Sequence, residues 1–421
     1  MKHFKRVLSL GLVCALSFTM VACGSSDSTT GTETPSTDTA TETTEAATED
    51  TNTESSESGI VEITGDTFKI GGIGPTTGGA AVYGQAVMNG AQIAVDEINA
   101  AGGINGAMIE FNFQDDEHDA EKAVNAYNSL KDWGMEILLG TVTSAPSTAV
   151  AAETANDGYF MLTPSGSSTA IIEGRTNVFQ VCFTDPNQGI GAAQYIGQNN
   201  IASSVAVIYD SSDVYSTGIY EKFAEEANNQ SFTIAAAEAF TADSKTDFSV
   251  QLQKAKEVGA RLVFLPIYAT EASLILTQAA SMDLDVIFFG CDGLDGILGV
   301  ENFEAELAEG VILLTPFVAD AEDASTISFV STYKELFNGE TPNQFAADAY
   351  DGIYIIKAAI EQAGVTSDMD VADMGSALVA AMTELSFDGL TGESMTWSST
   401  GEVAKAPKAM VIEDGVYVSL D

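Results

Sequence analysis

The amino-acid sequence predicts an α/β fold with two doubly wound, Rossmann-like lobes. From about residue 66 onward, short apolar runs that end in Gly, Asp, Ser or Thr alternate with amphipathic stretches of helical period, which is typical of β-α-β units. Many of these runs are nearly continuous and rich in β-branched residues, as expected for buried parallel strands. The chain of 421 residues is long enough for two lobes that each bury a core.

The N-terminus has the pattern of a secretory signal. Lys2, Lys5 and Arg6 precede an apolar run from Val7 to Ala22, so residues 1–22 are predicted to be a signal peptide. The run ends in MVACGSS, which resembles the lipobox of bacterial lipoproteins. This resemblance implies that Cys23 is lipidated and that the protein is anchored at the extracellular face of the cytoplasmic membrane.

A polar segment separates this leader from the first predicted strand. Residues 23–65 are dominated by Ser, Thr, Glu and Asp and contain no Lys or Arg to pair with the acids. Such a composition cannot bury a core. We therefore expect a disordered acidic tether between Cys23 and the folded part.

Two series of strands are predicted in the folded part. The first begins with FKIGGIGP at Phe68 and continues with runs that begin at Met108, Glu136, Tyr159 and Val178. The helices between them are predicted to begin near Tyr83, Asp119, Ser144 and Asp185. The second series begins at Ser204, Thr233, Arg261, Asp285 and Gly310.

The C-terminal part is predicted to add helices and then strands. Helices are expected near 325–338, 343–363 and 371–385, and the segments MTWSSTGEV and KAMVIEDGVYVSL have strand character. Ligands of doubly wound sheets bind beyond the carboxyl ends of the strands. The residues that follow the predicted strands are therefore the candidates for a binding site.

Charge and motif content exclude several functions. The chain has 16 basic and 61 acidic residues and a formal charge of -45, which would repel nucleic acid. The segment KIGGIGPTTGG lacks the third glycine of a dinucleotide fingerprint and the lysine of a P-loop. Outside the signal peptide there is a single histidine, His118, and no GxSxG motif, which argues against a hydrolase.

We expect neither a cofactor nor a metal. The acidic run at 115–119 lacks the spacing of a calcium loop, and we interpret it as solvated. Cys182 and Cys291 are the cysteines of the folded part, and both are interpreted as structural.

Several separated motifs resemble one family. They are GPTTGGAAVYG from Gly74, GAQIAVDEINAAGGINGAMIEFNFQDD from Gly90, and GTVTSAPSTAVAAETANDGYFMLTPSGSS from Gly140. Together they resemble the leucine/isoleucine/valine-binding proteins, from about Thr67 to the C-terminus. The resemblance implies a type I periplasmic-binding fold with three hinge crossovers, with lobe 1 at 66–184 plus 316–388 and lobe 2 at 185–315 plus 389–421.

The resemblance also implies a function. A member of this family binds a free amino acid, here one with a branched-chain or other apolar side chain, in the cleft between the lobes. It then delivers the ligand to the permease and ATPase subunits of an ABC importer, without catalysis. We expect a monomer that meets the membrane only through its N-terminal lipid.

Candidate contacts for the two ends of an amino acid can be named. Ser144 lies between a strand end and a helix, where its hydroxyl and free backbone N–H groups suit a carboxylate. The resemblance implies that Ser165, Gly166 and Ser167 hold the backbone atoms of the ligand. It also implies that Asp292, after the strand DVIFFGCD, pairs with the α-ammonium, where the family usually has glutamate.

Further contacts are implied for the rest of the ligand. Aligned tyrosines line the cleft of the family, and here they are Tyr83, Tyr215 and Tyr268. An apolar side-chain pocket would be completed by Val142, Thr143 and Phe345. Some family members join the loops at the positions of His118 and Thr143 by a disulfide, which this chain cannot form, so we expect looser loops here.

Other interpretations stay open at this point. Ser144 has the sequence context of an ordinary helix N-cap, and Asp292 that of an exposed acid at a strand end. The same fold also forms ligand-presenting sensory modules and amide- or urea-binding proteins. An enzyme acting on an amide or ester is a third class, and it would turn over the bound compound.

Overall fold

The computed structural model describes residues 66–420. The predicted signal peptide, Cys23 and the tether at 23–65 lie outside the described residues. Within them, no helix combines the length and the apolar character needed to cross a bilayer.

Five parallel strands form the first sheet. They are β1 (Thr67–Gly74), β2 (Met108–Asp115), β3 (Ile137–Gly140), β4 (Phe160–Thr163) and β5 (Val178–Gln180), in the order β2-β1-β3-β4-β5. The helices that connect them are α1 (Ala81–Ala100), α2 (Ala120–Trp133) and α3 (Ser144–Asp157). Every residue of β3 and β4 is buried, which explains why both are short continuous apolar runs.

Seven strands form the second sheet. Five of them are parallel, namely β6 (Ser204–Asp210), β7 (Thr233–Phe240), β8 (Leu262–Leu265), β9 (Ile287–Gly290) and β10 (Ile312–Thr315). The associated helices are α4 (Asp185–Gln198), α5 (Val214–Ala227), α6 (Ser249–Glu257) and α7 (Ala269–Ser281). The parallel part has the order β7-β6-β8-β9-β10, the same doubly wound order as the first sheet.

The C-terminal part of the chain adds helices beside the first sheet and strands to the second sheet. Helices α8 (Ala324–Leu336), α9 (Gln344–Ala363) and α10 (Val371–Met382) follow β10, and α9 packs along α1 and against β3 and β4. A β-carbon at Gly90 would lie 2.0 Å from the carbonyl oxygen of Ala346, so α1 and α9 approach more closely than another residue would permit. The short pair β11 (Ser386–Phe387) and β12 (Met395–Thr396) precedes β13 (Lys408–Glu413) and β14 (Val416–Ser419), which extend the second sheet in antiparallel fashion.

The predicted fold class is confirmed, since two doubly wound sheets are present and the chain passes between their layers three times. Several predicted strands are shorter than expected. The run from Val178 is a strand only to Gln180, and MTWSSTGEV forms only β12 and one isolated bridge from Trp397 to Val403. A tight turn causes the second break, because Gly401 has a φ of 87° and its N–H donates to Ser398.

Candidate functional site

A small cavity lies where the carboxyl ends of the strands of the two sheets face each other. All the predicted ligand contacts except Gly166 line it, together with Gly293, which was not among the predicted contacts. The lining residues are Tyr83, Val142, Thr143, Ser144, Ser165, Ser167, Tyr215, Tyr268, Asp292, Gly293 and Phe345.

One end of the cavity is formed by the N-terminus of α3. Thr143 is the N-cap residue and Ser144 is the first helical residue, so Ser144 is not the cap that its sequence context suggested. The backbone N–H of Ser168 donates to the Ser144 Oγ over 3.3 Å, and Ser144 is buried. First-turn N–H groups have no partner within a helix and carry partial positive charge. This end of the cavity therefore suits an anionic group such as a carboxylate.

The loop after β4 borders the same end. The hydroxyl of Ser165 donates to the carbonyl oxygen of Val142 over 2.8 Å, and the Gln180 amide donates to the carbonyl of Gly166 over 2.7 Å. A β-carbon at Gly166 would lie 2.6 Å from the Ser147 Oγ. Gly166 thus serves the packing of the loop against α3, which explains why it does not line the cavity.

Asp292 also lines the cavity. It follows β9 and is only 4% exposed, so it is not the exposed acid that its place at a strand end suggested. The Tyr215 hydroxyl donates to the Asp292 Oδ1 over 2.7 Å, and the Asp292 N–H donates to the Gln188 side-chain oxygen over 3.1 Å. Burial raises the pKa of Asp292 to about 7. A buried carboxylate of this kind is stabilised by a cation that enters the cavity.

Aromatic side chains form a wall of the cavity. The ring of Tyr83 lies 4.7 Å from that of Phe345 and 5.5 Å from that of Tyr268, centroid to centroid. Tyr215 stacks on Tyr268 at 4.8 Å. The Tyr83 hydroxyl accepts from the N–H of Ala269 and donates to the carbonyl of Gly293, each over 2.6 Å. These two hydrogen bonds therefore fix the Tyr83 side chain, while the aromatic rings of the wall offer apolar faces.

Gly293 contributes backbone groups to the site. Its N–H donates to the Tyr215 hydroxyl over 2.9 Å, and a β-carbon there would lie 2.5 Å from the same oxygen. Its position directly after Asp292 is the only signal in the sequence that points to it.

The loops after β2 and β3 are joined at the rim of the site. The Nδ1 of His118 lies 2.8 Å from the Thr143 Oγ1, and the His118 ring meets the edge of Tyr268 at 5.3 Å. The chain has no disulfide at these two positions, but this hydrogen bond connects them. Burial lowers the pKa of His118, which favours the neutral imidazole.

The acidic run before α2 is not uniformly solvated. Asp115 accepts from the N–H of Thr76, and Asp119 caps α2, but Asp116 is fully buried and burial raises its pKa to about 7. The interpretation of this run as a solvated face was therefore wrong for Asp116. Among residues 66–420, no group of three or more His, Cys, Asp or Glu side chains is arranged to hold a metal ion.

Cys182 and Cys291 are both buried and unpaired with each other. Burial raises the pKa of each thiol well above its usual value. Neither thiol is thus activated as a nucleophile.

Comparison with known proteins gives a consistent result. Residues 67–415 match the family described as periplasmic binding protein. The chain is 29% identical over 309 residues to the leucine-, isoleucine-, valine-, threonine- and alanine-binding protein of Pseudomonas aeruginosa, covering 73% of this chain and 82% of that protein. It is also 29% identical over 361 residues to the Leu/Ile/Val-binding protein homolog 3 of Brucella melitensis, covering 84% of this chain and 93% of the relative.

Solved structures show the same architecture. The branched-chain amino acid transporter substrate binding protein of Streptococcus pneumoniae, in complex with isoleucine, superposes with a TM-score of 0.76 at 28% identity, covering 84% of this chain and 98% of that one. A solute binding protein from R. palustris in complex with benzoate superposes with a TM-score of 0.75 at 20% identity, covering 84% and 95%. The second likeness concerns the fold alone.

Proposed function

The chain belongs to the periplasmic binding protein family, and from that premise we propose that it is the substrate-binding component of an ABC importer for a free amino acid. The proposal rests on one observation above all. A single cavity is lined both by the helix N-terminus at Ser144 and by the buried carboxylate of Asp292. A zwitterion is the small ligand whose two charges meet both groups with the correct sign.

The wall of the cavity suits an apolar side chain. Tyr83, Phe345 and Tyr268 present aromatic faces, and Val142 adds an aliphatic surface. Transfer of a branched aliphatic group onto such surfaces is favourable by roughly 25 cal/mol for each Å² removed from water. We therefore propose a branched-chain or other apolar amino acid as the ligand, which agrees with the ligand names of the relatives.

The proposed mechanism is reversible closure and delivery. Lobe 1, at 66–184 plus 316–388, and lobe 2, at 185–315 plus 389–421, would rotate about three crossovers and enclose the ligand. The protein would then present it, chemically unchanged, to a permease with its ATPase. Lipidation at Cys23 would keep it near that permease, and a Cys23→Ser variant is expected to lose both incorporation of labelled fatty acid and membrane association. Continued labelling of that variant would contradict the anchor.

An aromatic acid is the second candidate ligand. The aromatic wall favours it. The Asp292 carboxylate opposes it, because benzoate has no cation to offer a buried acid. A ligand-presenting sensory module, or an amide- or urea-type binding protein, would use the same fold.

A thermal-shift screen tests the proposal. Purified protein is heated with each of the standard amino acids, with benzoate and with urea, since a ligand of the folded state raises the unfolding midpoint. We expect leucine, isoleucine or valine to give the largest rise. A rise with benzoate or urea alone would contradict the proposed amino acid ligand.

A further inference from the structure

One ion pair is buried on both sides. Among residues 66–420, six ion pairs are found, and only in the pair of Lys405 and Asp348 are both side chains just 1% exposed. The Lys405 Nζ lies 2.7 Å from the Asp348 Oδ1. Taking two charges out of water is costly, and apolar residues of similar size often stabilise a fold as well or better. The pair therefore calls for an explanation other than stability alone.

A second carboxylate is held in the same network. Lys405 also donates to the Thr391 hydroxyl, which in turn donates to the Asp351 Oδ2 over 2.7 Å. The backbone N–H groups of Leu390 and Thr391 donate to Asp351 as well, each over 2.9 Å. Asp348 and Asp351 lie one turn apart on α9. The network therefore fastens the segment from Leu390 to Lys405 to this helix at both ends of the segment.

This segment is most of the third passage of the chain between the two sheets. It contains β12 and leads to β13, which begins at Lys408 in the second sheet. The Trp397 Nε1 also ties the segment to the end of β5, because it donates to the carbonyl of Gln180 over 2.8 Å. Only Ala406 and Pro407 therefore lie between the fastened segment and the second sheet.

The link that remains is short and stiff. Proline fixes its own φ, and it confines the preceding residue to extended conformations. Few torsions of Ala406 and Pro407 can then adjust when one sheet turns against the other. A rotation at this passage is therefore confined to a narrow range as long as Lys405 stays in place.

Helix α9 connects this passage to the ligand cavity. Phe345 lines the cavity and lies one turn before Asp348. The Gln344 side chain donates to the carbonyl of Asp292 over 3.0 Å, so it joins a helix beside the first sheet to a loop of the second. The helix that holds Lys405 is therefore the one that contacts both the cavity and the loop after β9.

We propose that Lys405 is a positioning residue for ligand binding, because its ion pair with Asp348 holds the third passage on α9 and restricts lobe rotation to a hinge at 406–407. This hinge lies later in the chain than the lobe boundary after residue 388 that the resemblance implies. The inference rests on the closure proposed above and adds the residues that guide it. Without the ion pair, more of the passage would move, and fewer free molecules would present the two sides of the cavity in the binding arrangement.

Two variants separate guidance from stability. Lys405→Met leaves Asp348 buried without its cation and is expected to destabilise the fold. Lys405→Met/Asp348→Asn removes both charges and should unfold near the wild-type midpoint. The matched control is Lys357→Met/Glu361→Gln, which removes a more exposed ion pair from the same helix.

Spin-label distance measurements on the ligand-free protein test the inference. Labels are attached at Ser129→Cys in α2 and at Glu221→Cys in α5, two exposed positions on helices of different sheets. Both leader cysteines, at positions 14 and 23, are replaced by serine, and the two cysteines of the folded part are buried. The label pair then reports the separation of the two lobes.

We expect a broader distance distribution in Lys405→Met/Asp348→Asn than in the wild type or the control. Binding of L-leucine to this double variant should be roughly tenfold weaker, as when about a tenth of the free molecules are competent to bind. Pro407→Ala keeps the ion pair but relaxes the hinge, so it should broaden the distribution too. A wild-type distance distribution in either variant would overturn the inference, as would wild-type leucine affinity in the double variant.

The outcomes for the two proposals can be told apart. The distances are measured without ligand, so they test the hinge whether or not an amino acid binds. If wild-type protein binds neither leucine nor any other standard amino acid, the proposed function fails, and the hinge is still judged by the distances. If leucine binds the wild type but the distributions do not broaden, the role of Lys405 fails and the amino acid site stands.

Discussion

The Nδ1 of His118 lies 2.8 Å from the Thr143 Oγ1, and this contact joins the loops after β2 and β3 beside the ligand cavity. The resemblance to the leucine/isoleucine/valine-binding proteins places a disulfide of some members at these two positions. In this chain the two positions are connected by a hydrogen bond between the neutral imidazole of His118 and the hydroxyl of Thr143. Thr143 is also the N-cap of α3, so the contact supports the helix end that borders the site.

Loss of this contact should loosen the loops. We expect His118→Ala and Thr143→Val each to lower the free energy of unfolding by about 1 kcal/mol, the usual value of one hydrogen bond. Chemical denaturation of the single and double variants forms a double-mutant cycle. If the two losses simply add, the hydrogen bond does not contribute to stability.

The Tyr83 hydroxyl should be more important to the fold than an ordinary phenol. Tyr83→Phe removes both the acceptor for the Ala269 N–H and the donor to the Gly293 carbonyl, and it leaves two buried backbone groups unpaired. We expect the free energy of unfolding to fall by roughly 2 to 4 kcal/mol. Tyr354→Phe is the matched control, since its hydroxyl bonds the part-buried Glu97. Equal losses in the two variants would contradict this role of Tyr83.

Stability of the ligand-free protein should fall as pH rises. Burial raises the pKa of several carboxyl groups, to about 7 for Asp116 and Asp292 and to about 6 for Asp213, Asp295 and Asp351. The unfolded chain loses these protons near pH 4, whereas the folded chain keeps them until about pH 6 to 7. Ionising these carboxyl groups in the folded protein therefore lowers the free energy of unfolding progressively between about pH 4 and pH 7.

Thermal unfolding at two pH values measures this effect. We expect the midpoint to be roughly 5 °C lower at about pH 8 than at about pH 5.5, and the difference to shrink in Asp292→Asn. An unfolding midpoint that stays constant or rises over this range would show that the buried acids do not govern stability.

The sequence predicted site residues best where these residues directly follow a strand. Ser144 and Asp292 could be predicted because carboxyl ends of parallel strands meet at one edge of a sheet. The burial of Asp116 and of Asp185 could not, because both depend on how distant segments of the chain pack over them. The break in MTWSSTGEV was missed since the turn at Ser398–Gly401 lies within a segment of strand-like composition.

Titration of wild type and Asp292→Asn with the amino acid that gives the largest thermal shift tests the central claim most directly. Asparagine keeps the shape of the side chain and removes the charge that would pair with the ammonium. Loss of one partner of a buried ion pair costs about 3 to 5 kcal/mol, so the account predicts a Kd that is at least about a hundredfold weaker. A Kd unchanged by the substitution would contradict the zwitterion site.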